Sequence, residues 1–154
     1  MFNIILYQPE IPPNTGNIIR LCANTGANLH LIEPLGFTLD NARVKRAGLD
    51  YHEMATVRRY PGWPGFRLQN PDMDLWAFSS RAGKSYCRVC FQLGDGLVFG
   101  PETRGLPSNV VDEIGSSRAV RLPMRADTRS LNLSNSVAIA LYEALRQNHF
   151  TGLN

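Results

Sequence analysis

Short apolar segments alternate along the chain with longer stretches of mixed polarity. Six segments hold four to six residues each and are bounded by Gly, Pro, Asn or Asp. Apolar runs of this length with such boundaries are typical of buried β-strands. The predicted strands are Phe2–Tyr7, Leu29–Glu33, Ala55–Tyr60, Leu75–Ser80, Leu97–Gly100 and Ala119–Pro123.

Three of the intervening stretches predict helices. The first is capped by Asn14, runs through Asn17–Ala23 and stops at Gly26. The others are Pro107–Ile114 and Leu133–Asn148. Strands that are apolar throughout and alternate with helices indicate an α/β fold with a mainly parallel sheet flanked by helices. At 154 residues, the sequence predicts a single domain over positions 1–154.

The composition excludes several classes of protein. Hydrophobic residues make up 44% of the chain and charged residues 19%, which argues against disorder. No apolar run approaches the length of a membrane span, and the N-terminus is typical of a strand and not of a secretion signal. The odd cysteine count, three, predicts free thiols in a reducing compartment. Cys87 and Cys90 lack the second ligand pair that zinc requires, so we expect no metal.

The basic residues favour a nucleic-acid partner without proving one. The net charge is +3, and Lys45 and Lys84 are the only lysines among 16 basic residues. Arginine suits bidentate contacts with phosphate and stacking on bases. Genomic base composition explains the same bias equally well, so charge alone leaves the partner open.

Candidate chemistry lies in three polar segments that follow strands, because parallel α/β sheets bind ligands beyond the carboxyl ends of their strands. The first segment, 12–20, opens a helix, whose free N–H groups suit a phosphate. Arg20 lies there among apolar neighbours. Its side chain either extends to the solvent or is held in place for a functional role. No phosphate-binding loop of the nucleotide-triphosphate type is present in the sequence.

The second and third segments combine glycine with small polar residues. In segment 97–107, Gly100 is expected to let a ligand approach the backbone, and Glu102 and Arg104 either pair or face a ligand. An ordinary strand–turn–helix link is the alternative. The third segment joins 120–124 to 130–138, where four small polar residues lie just before or at the start of a helix: Ser130, Asn132, Ser134 and Asn135. Four such residues are more than helix capping needs.

In this order the three segments resemble the SPOUT class of RNA methyltransferases. The stretch Asn14–Arg20 looks like motif 1, Leu97–Leu106 like motif 2, and Arg121–Met124 with Ser130–Ala138 like motif 3. The resemblance covers nearly the whole chain, including Leu21–Gly26 and Arg46–His52. The short length of the chain is similar to that of the tRNA wobble-position 2′-O-methyltransferases, which are named for cytidine-34. Two stretches look least like the family and are expected at the surface, Pro61–Asp74 and Tyr86–Leu93.

The resemblance implies a fold and a cofactor. The C-terminal segment would thread through a loop as a deep trefoil knot, a rare exception to the usual rules of chain topology. The knot would form a pocket for S-adenosylmethionine, with contacts from Phe78, Gly100, Leu122 and Ser130, mostly through backbone groups. In the family that the chain resembles, the residue at this position is usually aliphatic. We expect the contact with the cofactor to tolerate Phe78 because it is made by the main chain.

The implied reaction is methylation of the ribose 2′-oxygen at position 34 of the tRNA anticodon loop, by a cytoplasmic homodimer without metal. The resemblance assigns Arg20 the catalytic role. Because arginine is a poor base at neutral pH, we expect Arg20 to bind the neighbouring phosphate and stabilise charge on the 2′-oxygen. The proton acceptor, a phosphate or Arg20 itself, stays open. Glu102 is expected to offset the positive charge of the sulfonium.

Two alternatives remain at this stage: a SPOUT enzyme that acts on another tRNA or rRNA position, and a non-catalytic RNA-binding protein with the same fold. Basic residues near the predicted site are candidates to grip RNA phosphates, or else are solvated surface charges. They are Arg43, Lys45, Arg46, Arg125 and Arg129.

Overall fold

A computed structural model describes residues 1–40, 48, 54, 57–128 and 130–154. The strands in these ranges are β1 (Asn3–Tyr7), β2 (Asn28–Ile32), β3 (Val57–Tyr60), β4 (Leu75–Phe78), β5 (Lys84–Ser85), β6 (Gly96–Phe99) and β7 (Ala119–Arg121). The helices are α1 (Pro12–Thr25), α2 (Trp63–Gln69), α3 (Ser108–Ile114) and α4 (Leu133–Gln147), with 3-10 turns at Tyr86–Arg88 and Ser116–Arg118.

The described strands form one sheet in the order β3-β2-β1-β6-β4-β7-β5. Every pairing is parallel, which confirms the predicted α/β class. All the carboxyl ends therefore lie along one edge of the sheet, where the polar segments that follow the strands collect. Strand β5 has only two residues and was not predicted, because so short a strand carries no periodic signal.

Helices cover both faces of the sheet. On β1, Ile4 and Leu6 point into a core shared with α1 and α4, whereas Ile5 points into a second core shared with α2 and α3. This alternation follows from the two-residue period of a strand. Because both faces are buried, the strands are apolar throughout, the feature that made them visible in the sequence.

The helix ends differ in part from the prediction. Helix α1 begins at Pro12, so the prediction that Asn14 caps it was wrong: Asn14 lies within the first turn and is buried. Two prolines open this helix, and they have no N–H groups for a cap to satisfy. Its end was predicted correctly, since Gly26 stops the helix with a φ of 72°. Helix α4 ends one residue before the predicted Asn148.

Two stretches that we expected at the surface contribute to the core. Trp63 and Phe66 lie on α2 and are 7% and 0% exposed, and Phe91 is 1% exposed. Trp63 also donates a hydrogen bond from Nε1 to Glu113 on α3 at 2.7 Å. Tertiary packing provides a helix here with Trp63 and Phe66 facing inward, whereas Leu68 on the same helix is 82% exposed.

A buried polar group lies between the first strands and α2. His30 on β2 is 1% exposed, with Nδ1 2.9 Å from the Tyr60 hydroxyl and Nε2 3.2 Å from Oδ1 of Asn3. Asn28 donates to the same Asn3 oxygen at 3.1 Å, and Asn3 donates to the Gly94 carbonyl at 2.9 Å. Burial, assisted by the positive charge of Arg58, lowers the pKa of His30 to about 4. The imidazole is therefore neutral at physiological pH.

No helix in the described part of the chain is long and apolar enough to cross a membrane. Residues 55 and 56 of the third predicted strand lie outside the described residues. The trefoil knot stays a prediction of the resemblance.

Candidate active site

A cavity of about 400 Å³ opens at the carboxyl ends of β4, β6 and β7. Three pieces of chain form most of its wall: residues 78–81 after β4, residues 99–106 after β6, and part of the stretch 122–136 between β7 and α4. Ile11 and Asn14 at the start of α1 complete it. Two of the three polar segments identified in the sequence, those after β6 and β7, thus supply most of this wall, and the first supplies Asn14.

The cavity brings together all four residues expected to contact the cofactor, Phe78, Gly100, Leu122 and Ser130. The unusual phenylalanine at position 78 has a packing partner. Its ring stacks on that of Phe99, with centroids 4.7 Å apart and planes 17° apart. Both residues line the cavity and are 8% and 3% exposed, so the larger side chain is accommodated by stacking within the core.

The protein's own backbone requires a glycine at position 100. A Cβ atom at this position would lie 2.2 Å from the carbonyl carbon of Gly105 and 2.2 Å from the nitrogen of Leu106. The close approach that only glycine permits is therefore made by the protein's own chain as it turns back after β6. Gly100 also lines the cavity, and the close approach of a ligand to its backbone stays a prediction.

The Glu102 side chain, in the same loop, is held by the segment that leads into α1. One carboxylate oxygen accepts the Glu10 N–H at 2.7 Å, and the other accepts the Ile11 N–H at 3.0 Å and Nδ2 of Asn14 at 3.2 Å. Arg104 does not pair with Glu102; it pairs with Glu10 at 3.4 Å. The motif-2 loop is thus fastened to the start of α1 through several hydrogen bonds.

Asn132 connects this site to α4. Its Oδ1 caps the helix by accepting the N–H groups of Ser134 at 2.9 Å and Asn135 at 3.3 Å. Its Nδ2 donates to Oδ1 of Asn14 at 2.9 Å. One of the four small polar residues thus serves as the N-cap, and Asn132 and Ser130 also line the cavity.

Arg20 lies apart from the cavity described above. It is exposed on α1 and is not among the residues that line the cavity. Its guanidinium donates a hydrogen bond to the carbonyl oxygen of Gly48. Arg20 lies six positions after Asn14, about 9 Å further along the helix.

Ser79, Ser80 and Arg81 line the cavity directly after β4 and were not predicted as site residues. The signal was available, because residues that follow a parallel strand lie at the ligand-binding edge. Of the five candidate RNA contacts, only Arg125 is described, and it is exposed; residues 43, 45, 46 and 129 lie outside the described residues.

Within the described ranges, no group of three His, Cys, Asp or Glu side chains is arranged to hold a metal ion. Cys87 and Cys90 are exposed free thiols. Cys22 is buried in the core, where desolvation raises its pKa to about 12, so this thiol stays protonated and unreactive.

Comparison with known proteins shows the family to which the chain belongs. A model of the SpoU rRNA Methylase family matches residues 1–142, and the chain belongs to this family. The resemblance seen in the three motifs is thereby confirmed.

More similar proteins narrow the comparison. The chain is 56% identical over 154 residues to the tRNA (cytidine(34)-2'-O)-methyltransferase of Burkholderia cenocepacia, covering 99% of both chains. It is similar, at 43% identity, a TM-score of 0.85 and 97% coverage of both chains, to a solved structure that concerns 2-OH methylation of C/U34 on tRNA. It is also similar, at 25% identity and a TM-score of 0.80, to the SpoU methyltransferase AviRb of Streptomyces viridochromogenes in complex with AdoMet; this match covers 96% of the chain and 60% of AviRb.

Proposed function

We propose that this protein methylates the ribose 2′-oxygen of nucleotide 34 in the tRNA anticodon loop, with S-adenosylmethionine as methyl donor. The observation that carries the proposal is the cavity at the strand ends, where segments of a SpoU methylase meet. The full-length likeness to a cytidine-34 enzyme and to the C/U34 structure supports the position on the tRNA.

The cavity fits the proposed cofactor. Its volume of about 400 Å³ lies within the usual range of small-molecule sites, about 300–1,000 Å³. Leu106, Leu122 and Leu131 offer apolar surface to an adenine ring, while Ser130 and the backbone of 99–106 offer polar partners for ribose and amino-acid groups. We assign cofactor contacts to Phe78, Gly100, Leu122 and Ser130. When bound, the cofactor supplies an activated methyl group on a sulfonium.

Arg20 is the proposed catalytic residue. Its exposed guanidinium can form a bidentate contact with the phosphate beside the target ribose and can stabilise negative charge on the 2′-oxygen. Its hydrogen bond to the Gly48 carbonyl fixes the direction of the side chain before RNA binds. The remaining task of the protein is to hold the 2′-oxygen in line with the methyl group, and such positioning is worth about 7–11 kcal/mol.

The working unit that we propose is a homodimer with the site near the interface. Helix α4 presents Ile139 and Tyr142 outward at 41% and 49% exposure, and Phe150, 40% exposed, lies 6.3 Å from the Tyr142 ring. Apolar side chains grouped in this way suit an isologous interface. Because Arg20 lies outside the cavity lining of its own chain, a dimer also offers a way for Arg20 to serve the cavity of the partner subunit.

RNA contacts and the cellular compartment complete the proposal. Arg81 at the cavity wall and the exposed Arg125 suit phosphates of the anticodon loop, and binding should weaken as salt rises. The residues at positions 43, 45, 46 and 129 are proposed as further contacts on the sequence alone. We place the enzyme in the cytoplasm, where free thiols persist and tRNA is the substrate.

The deciding experiment incubates the protein with labelled S-adenosylmethionine and bulk tRNA, and then maps the labelled nucleotide. Label on the ribose of nucleotide 34 supports the proposal. Label on another ribose would indicate a SpoU enzyme with a different target, and tRNA binding without transfer would indicate a non-catalytic RNA-binding protein. Size-exclusion chromatography with light scattering tests the dimer, and a monomer at assay concentration would exclude it.

A further inference from the structure

The carboxylate of Glu102 lines the cavity wall, yet its hydrogen bonds are made to the protein. Its two oxygens accept two backbone N–H groups, of Glu10 and Ile11, and the side-chain amide of Asn14. A carboxylate offers about four acceptor sites, so three of them are occupied by the segment around the start of α1. The residues joined here lie about ninety positions apart in the sequence, at separations of 92, 91 and 88.

The direction of donors and acceptors in this group is determined by the cap of α4. Because Oδ1 of Asn132 accepts the first N–H groups of α4, its Nδ2 must face Asn14. Asn14 must then present its own oxygen to Asn132 and its amide nitrogen to residue 102. Position 102 therefore has to supply an acceptor for Asn14 as well as for the two backbone N–H groups. A carboxylate meets all three demands.

We propose that Glu102 is a positioning residue: it holds the start of α1 against the loop after β6 and, through Asn14 and Asn132, against the start of α4. This inference rests on the proposed methyltransferase function and concerns the same cavity. It replaces the expectation that Glu102 serves by placing negative charge beside the sulfonium. Since α1 also carries Arg20, the hydrogen-bonded group Glu102–Asn14–Asn132 sets where that guanidinium lies relative to the cavity.

Exchanging the carboxylate and the amide between positions 102 and 14 tests this role. Each single variant disturbs the match between donors and acceptors, and the double variant restores the match between these two positions. In Glu102→Gln, the single amide oxygen replaces only one carboxylate oxygen: when it accepts the Glu10 N–H, the new NH₂ faces both the Ile11 N–H and the NH₂ of Asn14. In Asn14→Asp, two carboxylates face each other. In the double variant, the amide at position 102 would accept the Glu10 N–H and donate to the carboxylate at position 14, whose second oxygen would accept from Asn132, so that only the Ile11 N–H lacks its acceptor.

We expect kcat to fall about ten- to a hundredfold in each single variant, because small displacements of reacting groups cost that much. The Kd for S-adenosylmethionine should change less than about threefold, since no direct contact is lost. The double variant should regain part of the lost kcat and be more active than either single variant, because the contact between positions 14 and 102 is restored. Amide hydrogen exchange at Ile11 should be faster in Glu102→Gln than in the wild type, because its N–H loses its acceptor. If a single variant fails to fold, recovery of folding and activity in the double variant supports the same conclusion.

The control is Asp112→Asn, which removes an exposed carboxylate on α3 away from the cavity and should leave kcat unchanged. Loss of cofactor affinity in Glu102→Gln with unaltered amide exchange would overturn the positioning role, as would a double variant no more active than the single ones. If the wild-type protein transfers no methyl group to tRNA, the proposed function itself fails. The exchange measurements, made without cofactor or RNA, then still report separately on Glu102.

Discussion

Two groups of hydrogen-bonded polar side chains connect distant parts of the chain, and each contains asparagine. They differ in what surrounds them. Glu102, Asn14 and Asn132 lie at the carboxyl ends of the strands, carry a charge and border an open cavity. Asn3 and His30, by contrast, lie with Tyr60 among aromatic rings beneath α2, where the histidine is neutral and almost fully covered.

The difference in exposure and charge indicates that the group at the cavity serves activity, whereas the buried group serves stability. The buried group of Asn3, His30 and Tyr60, here called the sealed group, forms its hydrogen bonds between neutral partners. A change to one of them leaves a buried donor or acceptor without a partner and lowers the free energy of unfolding. The group at the cavity can exchange contacts with ligand or water, so changes there should act on turnover first. Each prediction below asks whether stability and activity separate in this way.

The largest effect should come from Arg20→Ala. We expect the rate of methyl transfer to fall by about 10²–10³, since loss of one group that stabilises developing charge costs that much. The Kd for S-adenosylmethionine and the midpoint of thermal unfolding should stay close to the wild-type values, because Arg20 is exposed and outside the cavity wall. Single-turnover assays, cofactor titration and a melting curve measure the three quantities.

Arg88→Ala provides the matched control, since Arg88 is also exposed and lies away from the cavity. Turnover near the wild-type level in Arg20→Ala would refute the catalytic assignment. A marked loss of stability in Arg20→Ala would show that this residue of α1 contributes to folding as well as to activity.

Acid should destabilise the protein through His30. Its pKa is about 4 in the folded protein, against 6.5 for an ordinary histidine in the unfolded chain, so the unfolded state binds the proton more readily. The associated stability is complete above pH ~6.5 and is lost as the pH falls toward ~4, amounting to up to about 3 kcal/mol. Urea unfolding at a series of pH values measures this, with His30→Gln as the comparison. Parallel pH profiles for the two proteins would contradict the assignment.

Gly100→Ala should lower both stability and activity, because the added methyl group meets the backbone of Gly105 and Leu106. We expect a loss toward the upper end of the usual overpacking cost of about 1–3 kcal/mol. Chemical denaturation measures the loss, and cofactor titration should show weaker binding as the loop moves. As a control, Gly83→Ala adds a methyl group with no neighbour within 4 Å. An unchanged unfolding free energy in Gly100→Ala would show that the loop yields easily.

The smallest effect should follow from Tyr60→Phe. This change removes the hydroxyl that lies 2.9 Å from Nδ1 of His30 and leaves that nitrogen buried without its partner. We expect about 1 kcal/mol of lost stability with no change in kcat or in the Kd for the cofactor. A drop in kcat at unchanged stability would place the sealed group within the functional machinery and would end the distinction drawn above.

Much of the fold could be predicted because both faces of the sheet are buried. Strands such as β1 and β6 appear as short runs of apolar residues, and the end of α1 is marked by Gly26. Helix α2 could not be predicted in the same way. Its seven residues include a proline and a glycine, and only the packing of Trp63 and Phe66 reveals its buried face.

The sequence predicted several residues that line the cavity, but not the hydrogen bonds that connect its walls. Gly100, Leu122 and Ser130 meet in one cavity as expected, because parallel strands bring their carboxyl ends together. Glu102 could not be matched to Asn14 from the sequence, since their contact spans 88 positions and no local pattern encodes it. For the same reason Asn14 appeared to be an ordinary helix cap.

The first strand lies in the middle of the sheet, between β2 and β6, and the bond between Asn14 and Asn132 spans 118 positions. A ribosome releases residues in order, so β1 can pair with β2 early, but it emerges long before β6, which covers its other edge. The contact between Asn14 and Asn132 can form only after translation has passed Asn132. Contacts of such wide separation slow folding, and we expect chains halted before that residue to need chaperones and to bind no cofactor.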